Sequence, residues 1–282
     1  MGFKKFSNLI MIEQTLFALP FAYIGILFAD GPKNKSLSIW IFATIALVAA
    51  RTAGMSFNRV IDANIDAKNP RTKDRAIPKG EATKTEVLII GIVSSLALVI
   101  SSYLLNPLCF YLSFVAVFLL FTYSYFKRFS SSSHFYLGLV EAAAPIGGYL
   151  AVTGKFSIVP FILGSAILLW IAGLDIVYAL LDKDFDKKEN LHSLPSSYGE
   201  KKALRISIAC YILSVGSMIA TGLITGKSIP YWIAIASIAF VFTYQQIITR
   251  NRDLEPALKK FFKANMYVSP FLLIGTFIDV FF

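Results

Sequence analysis

Apolar residues in this chain come in long unbroken runs rather than in alternation. Nine such runs cover residues 8–29, 38–57, 86–105, 108–126, 135–153, 157–181, 205–225, 229–248 and 265–282. Each is close to the 20 or so apolar residues that carry a helix across a bilayer. A membrane barrel would instead show alternating segments of about ten residues. Stretches such as Val87 to Ile100 and Leu112 to Leu120 are continuous, so helices are expected. The pattern predicts an all-α membrane protein, one domain over residues 1–282, with nine transmembrane helices.

Composition strengthens this reading. Of 282 residues, 56% are hydrophobic and only 16% charged. A soluble domain carries about 25% charged residues, so a soluble enzyme, a disordered chain and a disulfide scaffold are all excluded. Cys109 and Cys210 lie inside apolar runs and read as small core residues. His134 and His192 make no zinc signature. The first apolar run exceeds a signal-peptide core and ends without a small-residue cleavage site, so no cleaved leader is expected.

Charge supplies the topology. With residue 1 on the inner side, the inner segments hold 22 Lys and Arg and the outer ones 4, with Arg51 alone inside a span. That asymmetry is the positive-inside signature. It places the long connections 58–85 and 182–204 on the cytoplasmic side of a plasma (inner) membrane. The net charge of +10 then reflects topology and contact with anionic lipid headgroups, and no basic stripe points to nucleic acid. Connections of that length are expected to be functional lids or binding loops capping the bundle, or else disordered.

Both long connections are acidic. In Met55–Lys68, residues Asn58, Asp62 and Asp66 recur every four positions and drift about 40° per step around a helix, with Arg51 near the same stripe. In Leu174–Asn190, Asp175, Asp182 and Asp186 also share a face, Tyr178 lies three after Asp175, and Asp184 points away. Arg51, Asn58 and Asp62 repeat the spacing of Asp175, Asp182 and Asp186, which suggests two similar helix ends in a pseudo-symmetric bundle. One acid at a helix end is ordinary interface chemistry. Two clusters on one predicted side fit a hard cation better, because Mg²⁺ takes one or two carboxylates, waters and substrate phosphates. Asp175 and Arg51 lie within spans, where a charge costs about 2.5 kcal/mol or more without a partner. Arg71 and Arg75, in the turn-rich Asn69–Gly80 loop, suit phosphate oxygens. Carboxylates and arginines at the mouth of an apolar bundle suggest a lipid diphosphate.

These residues resemble the UbiA superfamily of intramembrane prenyltransferases over nearly the whole chain. The resemblance rests on N-x-x-x-D-x-x-x-D at Asn58, Asp62 and Asp66, and on R-T-x-x-R-x-x-P-x-G from Arg71 to Gly80. A second motif, D-x-x-Y-A-x-x-D-x-x-x-D, spans Asp175, Tyr178, Ala179, Asp182 and Asp186, and Tyr123–Arg128 is similar to the family's fourth-helix end. The resemblance implies nine helices and Mg²⁺-assisted transfer of a polyprenyl group from its diphosphate to an aromatic acid of the 4-hydroxybenzoate type, in quinone biosynthesis. Asn58, Asp62, Asp66, Asp175, Asp182 and Asp186 would hold the metal, and Arg51, Arg71, Arg75 and Lys127 would meet phosphate. Arg128 would take the acceptor carboxylate. Tyr123, Tyr125 and Tyr178 are candidates to face an allylic cation. Glu13 to Pro20 and Leu191-His192-Ser193 depart from the 4-hydroxybenzoate pattern, which leaves a naphthoate acceptor of a menaquinone route open.

The competing class is an ion-coupled transporter, whose acids would lie near the bilayer midplane. These lie near one face. Among the other polar residues in apolar runs, Glu13 either faces the pocket or reaches the inner surface, Glu141 sits deep beside Pro145 and Gly147-Gly148, and Asp279 reads as an outer-interface residue. His134 has the chemistry of a base but, beside Ser130–Ser133, reads as a solvated loop residue.

Overall fold

The structure of the chain, a computed structural model, describes residues 7, 9–29, 36–249 and 254–282, with all side chains in them except those of Glu13, Gln14, Leu254 and Glu255. Lys4, Lys5, Lys33, Lys35, Arg250 and Arg252, which enter the charge asymmetry, and the Glu13 side chain lie outside the described residues. Among the described residues every regular element is a helix. Eight helical stretches are long and apolar enough to cross a membrane, and a shorter apolar one covers Thr15–Phe28. Helix therefore occupies each of the nine expected spans, in a multi-pass integral membrane protein.

The chain forms two compact units, Met1–Leu19 with Ser36–Tyr125, and Pro20–Lys35 with Phe126–Phe282. In the first, α1 (Ile12–Phe28) contributes its residues before Pro20, followed by α2 (Leu37–Ile61), α3 (Ala63–Lys68), α4 (Lys84–Leu105) and α5 (Pro107–Thr122). Sequence signals set the ends. Thr83 and Glu86 form a reciprocal capping box at the start of α4. Asn106 caps α5, taking the Cys109 N–H at 2.9 Å, with Pro107 at the first helical position, where no N–H is needed. α2 packs on α4, where the Phe57 ring lies over Gly91. The Phe57 ring also meets Phe121 of α5 edge-on at 5.4 Å. The outward faces carry Ile92, Val93, Leu96, Phe114 and Phe118, all exposed, as lipid contact requires.

The second unit contains α6 (Ser133–Thr153), α7 (Ile158–Tyr178), α8 (Lys183–Lys188), α9 (Leu194–Tyr198), α10 (Glu200–Ile224), α11 (Ile229–Ile248), α12 (Leu254–Asn265) and α13 (Val268–Phe281), joined by the residues of α1 from Pro20 on. Small residues bring backbones together. A Cβ on Gly148 would lie 2.0 Å from the Ala22 carbonyl oxygen, and one on Gly25 2.1 Å from that of Pro145. Ser207 and Ser214 of α10 donate to the carbonyls of Gly173 (2.8 Å) and Ala166 (2.7 Å) on α7. Such interhelical bonds average about 0.6 kcal/mol in a membrane. Between α12 and α13 the helix breaks. There Gln245 donates to the Phe261 carbonyl at 3.0 Å, and Asn265 accepts from the buried Trp170 indole at 3.0 Å. The Gln245 amide N–H, the Phe261 carbonyl, the Asn265 side-chain oxygen and the Trp170 indole thus find partners inside the protein, where a span offers no water. Cys109 and Cys210 are buried free thiols. Asp279 accepts from the Ser228 N–H and hydroxyl and pairs with Lys227 at 2.9 Å.

The two polar connections are more folded than the sequence pattern suggests. α2 continues to Ile61 and α3 follows after a single residue, while 182–204 holds α8, α9 and the start of α10. Within each connection side chains pair with one another and with the backbone, which hydropathy does not register. Arg75 pairs with Asp66 and Thr72 with the Asp66 carbonyl in the first, Lys183 with Glu200 and Ser193 with Ser196 in the second. Pro145 sits within α6, and Gly147 faces open space rather than a neighbouring helix.

Candidate active site

Asp62 stands where α2 gives way to α3, at φ −92°, ψ 0°. The i→i−4 bonds nonetheless continue through it, from Asp62 N–H to Asn58 and from Asp66 N–H to Asp62. Asn58, Asp62 and Asp66 therefore stay on one stripe, one turn apart. The Asn58 amide donates to Asp62 Oδ2 at 2.9 Å and to the Ser124 hydroxyl at 3.1 Å. The Asp62 residue is only 1% exposed. Asp66, also buried, has both oxygens within 2.8 Å of Arg75 Nη1. The Asp66 carbonyl accepts from Thr72 at 3.1 Å, and the Asn69 side chain takes the Arg71 N–H at 2.9 Å. These bonds fold the Asn69–Gly80 turns back onto α3. Arg71 itself is exposed. Tyr123 donates to the Gly54 carbonyl at 3.2 Å, with Arg51, Arg59 and Asp62 as charged neighbours.

Arg59 is the residue that sequence reasoning missed here. Charge distribution alone makes it one more basic residue of the 58–85 connection, yet it is 6% exposed and lies among Asp62, Asp66, Arg75 and Tyr123. The one signal was its position next to Asn58, inside the stripe's own helix.

In the second unit, Asp175 lies three residues from the end of α7, Asp182 ends a 3-10 turn, and Asp186 is on α8. Asp184 is 94% exposed and points away, as its spacing predicts. Asp186 shares a hydrogen bond with Ser193, and the titratable groups near it are Asp182, Lys127 and His134. Lys127 and Arg128 close the 3-10 segment Tyr123–Arg128, both half-buried. The Lys127 carbonyl accepts from His192 N–H at 2.7 Å, which ties the 186–193 strap to that segment. The Tyr178 ring meets Phe262 edge-on at 4.9 Å, and the exposed Tyr125 ring lies against Phe121.

His134 is not the solvated loop residue expected from the serine run. It is the second residue of α6, 2% exposed, and its Nδ1 lies 2.7 Å from Asp175 Oδ2. Its Nε2 accepts from Leu194 N–H at 3.1 Å. Its partners lie 41 and 60 residues away, beyond the reach of any local pattern.

Among the described residues no three acids, histidines or cysteines converge as a ready-made metal cage. One unit instead presents Asn58, Asp62 and Asp66 on successive turns, and the other presents Asp175, Asp182 and Asp186 on α7, a 3-10 turn and α8. That donor set suits Mg²⁺, which completes its shell with water and phosphate.

The family model for the UbiA prenyltransferase family matches residues 18–268. Among relatives, a 4-hydroxybenzoate octaprenyltransferase from Nitrosospira multiformis is 28% identical over 98% of this chain and 92% of its own length. One from Shewanella piezotolerans is 30% identical over 93% and 88%. Among solved structures, the apo form of a UbiA homolog from Aeropyrum pernix K1 is 31% identical and superposes with a TM-score of 0.88 over 95% of this chain and 98% of that one. A UbiA homolog from Archaeoglobus fulgidus bound to GPP and Mg²⁺, 19% identical, shares the fold with a TM-score of 0.79 over 98% and 99%. With the family model spanning nearly all the described helices, this chain belongs to the UbiA prenyltransferase family.

Proposed function

We propose that this protein transfers a polyprenyl group from polyprenyl diphosphate to an aromatic acid of the 4-hydroxybenzoate type, with Mg²⁺, in quinone biosynthesis. The carrying observation is the pair of acidic helix ends with their basic companions, in a chain whose relatives bear the name 4-hydroxybenzoate octaprenyltransferase. In this reading Asn58, Asp62 and Asp66 are the oxygen donors that one unit offers to Mg²⁺, and Asp175, Asp182 and Asp186 those that the other offers, for one or two ions in all. Bound Mg²⁺ supplies charge neutralisation that makes diphosphate a better leaving group. Arg51, Arg71, Arg75 and Lys127 add fixed positive charge where negative charge grows as the allylic C–O bond breaks. Tyr123, Tyr125 and Tyr178 offer ring faces to the allylic cation. A ring carbon of the acceptor then bonds to that cation, and the ring loses a proton to recover aromaticity. Arg128 orients the acceptor by pairing with its carboxylate through two parallel hydrogen bonds.

The second reading is a naphthoate acceptor of a menaquinone route, which the departures from the 4-hydroxybenzoate pattern at Glu13–Pro20 and Leu191-His192-Ser193 leave open. The 22-to-4 distribution of basic residues supports a cytoplasmic working face in a plasma (inner) membrane. The test is incubation of membranes with labelled polyprenyl diphosphate, Mg²⁺ and both acids, followed by identification of the labelled product. Prenylated 4-hydroxybenzoate that vanishes with EDTA is the expected outcome. A prenylated naphthoate alone would move the protein to the second acceptor, and undiminished transfer in EDTA would overturn the metal assignment.

A further inference from the structure

His134 has two hydrogen-bond partners, and their chemistry fixes its proton. Leu194 N–H is a backbone amide at the first position of α9, one of the donors a helix leaves unpaired at its start. It can only donate, so His134 Nε2, 3.1 Å away, is the acceptor and carries no hydrogen. A neutral imidazole bears one hydrogen, which must then sit on Nδ1 and point at Asp175 Oδ2, 2.7 Å away. The ring is buried, with a side chain 3% exposed, whereas the Asp175 side chain is 29% exposed. The imidazole is thus an internal brace, and the carboxylate it holds faces outward.

We infer that His134 is a positioning residue: its Nδ1–H holds one oxygen of Asp175 so that the other is presented to the diphosphate end of the substrate, while its Nε2 anchors the turn that follows Asp186. The inference rests on the proposed function for what Asp175 meets, though not for the tautomer. It also removes His134 as the base that rearomatises the acceptor, since its one free lone pair already receives the Leu194 hydrogen. The turn belongs to the same device. Ser193 precedes Leu194, caps α9 through a reciprocal bond with Ser196, and reaches Asp186. One imidazole therefore links the α7 acid to the strap over the α8 acid. Ligand-bearing carboxylates are commonly held this way, and loss of the outer partner costs roughly 10–100-fold in activity or metal affinity.

Two amide substitutions separate the contacts. In His134→Asn the amide nitrogen overlays Nδ1 and keeps the bond to Asp175. In His134→Gln the amide oxygen overlays Nε2 and keeps only the bond to Leu194. The expected result is that His134→Asn retains most of the wild-type kcat/KM for the diphosphate, while His134→Gln loses roughly tenfold or more. Equal losses, or a loss in His134→Asn alone, would overturn the role. The tautomer is read directly by 15N solid-state NMR of histidine-labelled protein in bilayers, where only two histidines contribute. One ring should show a pyridine-like Nε2 and a pyrrole-like Nδ1, and those signals should be missing from His134→Asn. A protonated Nε2 at that ring would overturn the inference. If no aromatic acid is prenylated by the wild type, the functional reading fails while the NMR result still decides this one.

Discussion

Asp62 and Asp66 are one turn apart and both buried, with Arg59 near both; Asp62 accepts from the Asn58 amide, while Asp66 has both oxygens on Arg75. Different responses to mutation follow. Asp62→Ala and, in the other unit, Asp182→Ala should each reduce prenyl transfer by about 100-fold or more, the scale of losing a preorganised electrostatic group. Thermal unfolding in detergent should change little, and a large fall there would mark the acids as structural. Arg75→Met should instead lower stability by roughly 2 kcal/mol, because a charge-assisted bond to a buried carboxylate is lost. Adding Asp66→Asn should recover part of that loss in a double-mutant cycle. At this scale the acids and their stripe were legible, since spacing alone puts them on one face. Arg59 and His134 were not, because what defines each is a partner met only in the folded chain.

Along the helices, contrast between neighbouring glycines makes the packing testable. A methyl on Gly148 would overlap the Ala22 carbonyl, whereas one on Gly147 meets nothing within 4 Å. Gly148→Ala should therefore destabilise by about 1–3 kcal/mol or more through forced separation of α1 and α6. Gly147→Ala should be neutral or stabilise by roughly 0.5–1 kcal/mol, as alanine does in a helix interior. Thermal melts of the two variants side by side decide the matter, and equal melts would mean that α1 and α6 do not approach as described. The spans themselves were readable because lipid imposes continuous apolar runs. The short helices α3, α8 and α9 were not, since each has six residues or fewer, too few for a periodicity, and α9 meets its His134 partner only in the folded chain.

For the molecule as a whole, charge makes the prediction. Single cysteines placed in a variant with Cys109→Ser and Cys210→Ser should be labelled from the cytoplasm at Lys79 and from outside at Lys155, as the basic asymmetry requires. Labelling with the opposite sidedness would invert the topology and move the acidic helix ends to the outer face. The close approach of Ala22 to Gly148 has a further consequence, and it concerns time. More than a hundred residues separate the two, and ribosomes add about 5–20 residues per second. The Phe21–Phe28 stretch therefore waits on the order of ten seconds in the membrane before the α6 backbone it touches has been made. Its later neighbours, Trp170 against Phe21 and Tyr231 against Phe28, arrive later still. During that interval its small-residue face is open to any passing helix, so chaperoning by the insertion machinery matters for this stretch, and a variant such as Gly25→Ala should be lost during biogenesis before it can be assayed as a finished protein.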